Sequence, residues 1–219
     1  MNYLTGFQND FNKLVDLYNT KNLHNAIIIY GPKGIGKRVF IDNLLISFFE
    51  KNYSENNLKH HINLFKNNSH PNIKIIEKEI DRKTKKIKTN IFINQIRNLK
   101  KFVKETSTIK NLNKFVIVDS ADDLNTSSSN SFLKTLEEPK SDTFLFLISH
   151  QISSLLPTVR SRCLKIKLNN HNKEQFSYII KQKIENISDD SIQFFYEITK
   201  GSPGIAISLF DHNIIDLFD

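Results

Sequence analysis

Two rhythms of apolar and polar positions alternate along this chain. Five short runs are continuously apolar or β-branched and end in turn residues: Ala26–Tyr30, Ile73–Ile76, 115–119, 144–149 and 163–168. Runs of this kind read as strands buried on both faces. Between them the spacing becomes helical. Phe40, Leu44 and Phe48 fall on one helical face, as do Ile93, Ile96, Leu99 and Val103. Phe132, Leu133 and Leu136 form a third stripe that stops at Pro139. Strands alternating with helices predict an α/β fold with a five-stranded parallel sheet covered on both faces.

Two stretches break the rhythm. Residues 51–70 are polar, with paired asparagines and His60, His61 and His70, and are expected to be irregular. Residues 77–90 are a charged run expected to form a loop or a hairpin. Past Asn169 the strands end, and 176–184, 191–198 and 205–210 read as helices, the last preceded by Gly201-Ser202-Pro203-Gly204. They predict a small helical lid.

The chemistry begins where the first strand runs into Gly31-Pro32-Lys33-Gly34-Ile35-Gly36-Lys37-Arg38 and then a helix. This is the phosphate-loop pattern G-x-x-x-x-G-K in its strand–loop–helix setting. Gly31, Gly34 and Gly36 let backbone amides turn inward, the helix N-terminus adds positive charge, and Lys37 would reach the terminal phosphates. The next position normally carries the hydroxyl of Ser or Thr on magnesium; here it is Arg38, which cannot ligate a cation and repels one. Nucleotide binding survives this change better than metal-assisted chemistry does.

The third strand ends in Asp119-Ser120-Ala121-Asp122. Asp119 has the position of a Walker B carboxylate, or it caps the following loop. Ser120 stands where an active ATPase carries the Glu that orients the attacking water. Arg38 and Ser120 together predict a site that does not hydrolyse ATP, with no metal held there.

Composition adds a charge asymmetry. The chain of 219 residues has a net charge of +8 and a pI near 9.4. Residues 78–114 hold 12 Lys or Arg against 3 Asp or Glu, an excess of +9, which leaves −1 for the remainder. A basic stripe is one footprint of nucleic-acid binding. A solvated face is the blander account, and the abundance of Asn, Lys, Ile and Phe throughout the chain favours it. The single cysteine, Cys163, excludes an internal disulfide and a thiolate zinc site, and fits a reducing cytoplasm. No stretch approaches the roughly 20 apolar residues of a membrane span.

Five motifs in order give the chain a family resemblance: His24–Tyr30 running into the phosphate loop; Ser69-His70-Pro71-Asn72; Ile117-Val118-Asp119-Ser120-Ala121-Asp122; Ser131-Phe132-Leu133-Lys134-Thr135-Leu136-Glu137-Glu138-Pro139; and Arg160-Ser161-Arg162-Cys163. The sequence resembles the bacterial clamp-loader family of AAA+ proteins, in its delta-prime branch, over about residues 20–210. The resemblance implies a RecA-like AAA+ domain at 1–168 and a helical lid at 169–219. It implies that Arg162 projects toward nucleotide held by a neighbouring subunit, and that Ser149 stands at the γ-phosphate sensor position. Implied partners are the gamma/tau and delta subunits of DNA polymerase III, and through the complex the sliding clamp and primed DNA. No cofactor is required on this reading, although ATP or ADP can remain as a structural ligand.

Three departures accompany the likeness. The four-cysteine zinc module of many members has no counterpart here, and His60, His61 and His70 lack the spacing of a closed site, so no zinc is expected. Ile205 occupies the lid position where an arginine often contacts nucleotide. The collar domain of the family is expected to be missing from these residues, either because the sequence has been shortened or because this is a reduced form. The reading is therefore a non-hydrolysing clamp-loader subunit. An active ATPase using Lys37 and Asp119, and a DNA-binding module using the basic stripe, are the alternatives.

Overall fold

The computed structural model describes residues 5–211, apart from positions 82, 106, 108, 110, 111 and 141. The elements in chain order are α1 (Gln8–Asn19), β1 (Ala26–Tyr30), α2 (Lys37–Asn52), α3 (Glu55–Lys66), β2 (Ile73–Ile76), α4 (Ile93–Lys104), β3 (Lys114–Val118), α5 (Thr126–Glu137), β4 (Thr143–Ser149), α6 (Pro157–Arg160), β5 (Leu164–Lys167), α7 (Lys173–Lys181), α8 (Asp189–Thr199) and α9 (Pro203–Asp211). The five strands form one parallel sheet in the order β2-β3-β4-β1-β5. All five expected strands are present, with ends moved by at most a residue. Part of the lid expected at 169–219 (residues 212–219) lies outside the described residues, as do Arg82 and Lys110 of the basic stripe.

Strand alternation divides the core in two. Ile27, Ile29, Phe115, Ile117, Phe144, Phe146 and Ile148 point to one face, where α1 and α2 supply Leu14, Tyr18, Phe40, Leu44 and Phe48. Ala26, Ile28, Val116, Val118, Leu145 and Leu147 point to the other, against Ile96 and Leu99 of α4, Phe132 of α5 and Val159 of α6. This two-sided burial explains why the strands lack polar positions. On the first face Tyr18 stacks on Phe48 at 3.7 Å between ring centroids, and Phe115 lies stacked between Phe48 and Phe144. Each fully buried Phe of this kind contributes roughly 1.5–3 kcal/mol. Helices α7 to α9 close a separate apolar cluster around Phe176, Ile180, Ile192, Phe195 and Ala206.

One expectation is corrected. The stretch 51–70 is not irregular: α2 runs through Asn52 and α3 fills Glu55–Lys66. Helix α3 buries His61 and Phe65, so half of its inward face is a histidine that an apolar count passes over. Within 77–90 an antiparallel bridge joins Ile80 to Ile87, making the segment a hairpin. The described cations of the basic stripe are exposed or half-exposed, with one exception. Lys114 is 1% exposed. Its Nζ donates to the carbonyls of Phe102 (2.5 Å) and Glu105 (2.8 Å), closing the C-terminal end of α4 where a cation is favoured.

Candidate functional site

The sheet delivers the tips of β1, β3 and β4 side by side, and the phosphate loop rises from the first of them. Gly31 takes φ +150° with its N–H bonded to Ser149 O; a Cβ there would lie 2.0 Å from Leu168 O. Gly36 takes φ +97° as the residue before α2, in the left-handed region that glycine enters freely. Lys37, the first residue of the helix, is 3% exposed, and its Nζ donates to Gly31 O (2.7 Å) and Pro32 O (2.6 Å). Burial lowers its pKa to about 8, with Asp122 and Asp119 acting in the opposite direction. The ammonium group thus sits inside the ring of its own loop.

Arg38 forms two ion pairs. Its Nε donates to Asp42 Oδ1 at 2.8 Å, one helical turn on, and its Nη1 reaches Asp119 Oδ2 at 3.4 Å. Burial alone would lower the guanidinium pKa, but the two carboxylates outweigh it and raise it. Asp42 was invisible to motif reading, although its i,i+4 offset from Arg38 is the spacing that pairs charges on a helix. A catalytic magnesium ion does not fit this arrangement. The hydroxyl ligand is replaced by a cation, and that cation is paired with the carboxylate that would support the metal.

Asp122 is the hub of the neighbouring strand ends. Its carboxylate accepts from the hydroxyls of Ser120 (2.9 Å), Ser149 (2.8 Å) and Ser154 (2.7 Å), and from the backbone N–H groups of His150 (2.6 Å) and Gln151 (3.2 Å). Desolvation opposes its ionisation, yet these donors together hold its pKa below the ordinary value. The hydroxyl of Ser149 therefore points to Asp122, and Ser120 is engaged by the same carboxylate.

The lid closes directly on the loop. Gly204 N–H donates to Gly34 O (2.7 Å), Ser202 Oγ to Lys33 O (2.6 Å), and His171 Nε2 lies 3.1 Å from Ile35 O. A Cβ on Gly204 would meet Gly34 O at 2.7 Å, so only glycine allows this approach. Ile205 also reaches Gly34, its Cγ1 lying 2.8 Å from where a Cβ would stand. Sequence reasoning missed His171, which carries no spacing signal; Ser202 lay within the Gly201–Gly204 element, with no role assigned to it.

Arg162 lies on the other side of the core, away from the loop motif in sequence. It follows α6, and its Nη1 donates to Thr158 O at 2.9 Å while Nη2 pairs with Glu137 Oε1 at 2.7 Å. Both side chains are partly open to solvent, at 36% and 44%. Cys163 beside it is buried, and burial raises its thiol pKa to about 12.

His70 of the second motif and His61 of α3 form a packed pair. Asn72 N–H donates to His70 Nδ1 (3.1 Å), so a neutral His70 carries its proton on Nε2 and donates to His61 Nδ1 (3.2 Å). Phe49 stacks on His70 and Tyr53 on His61. A metal on His70 Nε2 would have to displace that proton. Among the described residues no group of three or more His, Cys, Asp or Glu is placed to hold a metal ion. None of the described helices is long and apolar enough to cross a membrane.

Comparison with known proteins then bears on the whole chain. The sequence model of the family described as DNA polymerase III, delta subunit, matches residues 7–172. The chain is 34% identical to the DNA polymerase III subunit delta' of Pseudomonas aeruginosa over 64% of this chain and 42% of that protein. It is 28% identical to the subunit delta' of Escherichia coli over 92% of this chain and 59% of that protein. It therefore spans about half the length of such relatives. Among solved structures, a gamma subunit-related protein from Thermotoga maritima superposes with a TM-score of 0.59 at 19% identity, covering 92% of this chain and 57% of that one. RuvB from the same organism gives 0.55 at 15% identity over 94% and 61%. These two likenesses show that the fold, a five-stranded parallel sheet flanked by helices, is shared with those proteins.

Proposed function

We propose, since this chain belongs to the DNA polymerase III delta-subunit family, that it is a clamp-loader assembly subunit that leaves ATP hydrolysis to its neighbours. In replication it would sit in the cytoplasm beside subunits of the gamma and delta types and help place the sliding clamp on primed DNA. The observation that carries this reading is the ion pair between Arg38 and Asp119. It joins the residue that displaces the magnesium ligand to the carboxylate that would assist the metal. Ser120 offers no charge to orient water, and its hydroxyl is engaged by Asp122. ATP or ADP bound in the Lys37 loop would on this reading be structural.

The positive role falls to Arg162. A guanidinium presented to a neighbour's nucleotide neutralises charge on the transferring phosphoryl group, an effect worth about 10³–10⁵ in rate where it has been isolated. Its partial exposure supports that use, because a side chain buried inside the subunit has no access to a neighbour. The test has two arms. The purified chain should show no magnesium-dependent ATP turnover, and a rate near ~1 s⁻¹, the low end for such chemistry, would refute the reading. Added to the clamp-loader ATPase subunits, the wild-type chain should stimulate turnover and the Arg162→Ala chain should assemble without stimulating it.

A further inference from the structure

The fourth and fifth sequence motifs meet in one contact whose purpose the proposed function leaves open. Glu137 is the last residue of α5, and Arg162 follows the single turn of α6. The backbone on both sides of Arg162 is anchored, because Val159 and Cys163 are buried in the second core cluster with Phe132 and Leu136 of α5. The Arg162 N–H continues the turn by donating to Val159 O at 3.2 Å. From this fixed base the side chain emerges, and its guanidinium is held chiefly at two points, with a long third contact from Nη1 to Ser161 Oγ at 3.5 Å. Thr158 O takes Nη1 at 2.9 Å and Glu137 Oε1 takes Nη2 at 2.7 Å.

Two-point holding matters for a long side chain. Unheld, an exposed arginine samples many rotamers, and an attacking geometry must then be selected at each encounter. Here the two contacts bias the fork toward one orientation before any partner arrives. The tether is nonetheless weak, since exposed ion pairs are screened by water and salt. An incoming triphosphate carries more charge than one carboxylate and can take over the guanidinium without dismantling the fold. A guanidinium carries five N–H donors, so two tethers leave others for such a ligand.

We infer that Glu137 is a positioning residue for Arg162, holding the guanidinium in a presented orientation from which a neighbouring subunit's nucleotide takes it over. The inference rests on the trans role proposed above for Arg162. Among the described residues the ion pair of the Glu137 carboxylate is with Arg162, although Lys134 lies in the same last turn of α5.

The experiment is a mutant cycle on the complete chain assembled with the clamp-loader ATPase subunits. ATP turnover is measured for wild type, Glu137→Gln, Glu137→Asp, Arg162→Ala and the Glu137→Gln/Arg162→Ala pair. Glu137→Gln should lower kcat about three- to ten-fold while KM for ATP moves less than about two-fold, because misplacing a group that acts in the transition state is read in kcat. Glu137→Asp should restore part of the loss. In the Arg162→Ala background, Glu137→Gln should have no further effect. If Arg162→Ala itself leaves turnover unchanged, the proposed trans role fails and this inference with it. If Arg162→Ala abolishes stimulation but Glu137→Gln is silent, or its effect adds in full to that of Arg162→Ala, the trans role stands and the positioning role is refuted. Failure of the Glu137→Gln chain to assemble would make Glu137 a structural residue and refute it equally.

Discussion

Arg38 bridges Asp42 and Asp119, so one guanidinium joins the first turn of α2 to the tip of β3. On the proposed reading the bridge takes the electrostatic place that a divalent cation would hold. Replacing Arg38 by Thr should remove the bridge and leave two carboxylates near each other. Stability should fall by about 1 kcal/mol, a modest cost because all three side chains are partly exposed. Urea midpoints measure it. The same variant should gain a magnesium-dependent rise in thermal midpoint with ATP, yet no turnover, because Ser120 remains.

The His61–His70 pair should make the fold acid-sensitive. Burial, with the two neighbouring histidines, lowers the pKa of His70 to about 4, and burial lowers that of His61 in the same direction. An unfolded histidine takes up its proton near 6.5. Above that pH both states are neutral and nothing is lost. As pH falls from about 6.5 toward 4 the unfolded chain binds protons that the folded chain refuses, so stability declines, and below about 4 the loss levels off. The whole effect is on the order of 3 kcal/mol for His70. Denaturant titrations at pH 7 and pH 5 should show it, and His70→Phe should flatten the dependence while costing stability at pH 7 through loss of the hydrogen bond from Asn72 N–H to His70 Nδ1.

Gly204 should tolerate no side chain. Alanine would press its methyl to 2.7 Å from Gly34 O and force the first turn of α9 off the loop. Gly204→Ala is expected to cost about 1–3 kcal/mol and to speed amide exchange at 31–36 and 202–206. Exchange confined to the lid, with the loop still protected, would contradict this coupling.

Asp122 gathers five donors, so Asp122→Ala should be far more damaging than a surface substitution. Leaving several partly buried hydroxyl and amide groups unpaired predicts a loss of about 2–4 kcal/mol. Asp122→Asn should lose less, because its carbonyl oxygen still accepts. Equal losses for the two variants would show that the charge, not the acceptor geometry, organises the strand ends.

Much of this fold is written in the order of residues. The five strands were legible because sheets covered on both faces require unbroken apolar runs, and the loop because glycine spacing and Lys37 are fixed by chemistry. Helix α3 was not, because only Phe65 and His61 are buried on it and a histidine counts as polar until its stacking partners are known. Lys114 was read with its charged neighbours, although its β-strand position turns it inward onto the end of α4. The motif also gave Arg162 and Glu137 separately. That they touch depends on how α5 packs against α6, which no local pattern encodes.

Lys37, folded onto the carbonyls of Gly31 and Pro32, changes what affinity means for this loop. Any phosphate entering must first draw the ammonium off two internal acceptors, and the free energy of that withdrawal is subtracted from whatever the phosphate gains. The loop behaves as a site that already contains its own competitor. Raising pH past the lysine's lowered pKa removes the charge that would attract an anion, so the competitor also governs the alkaline limit of any binding there.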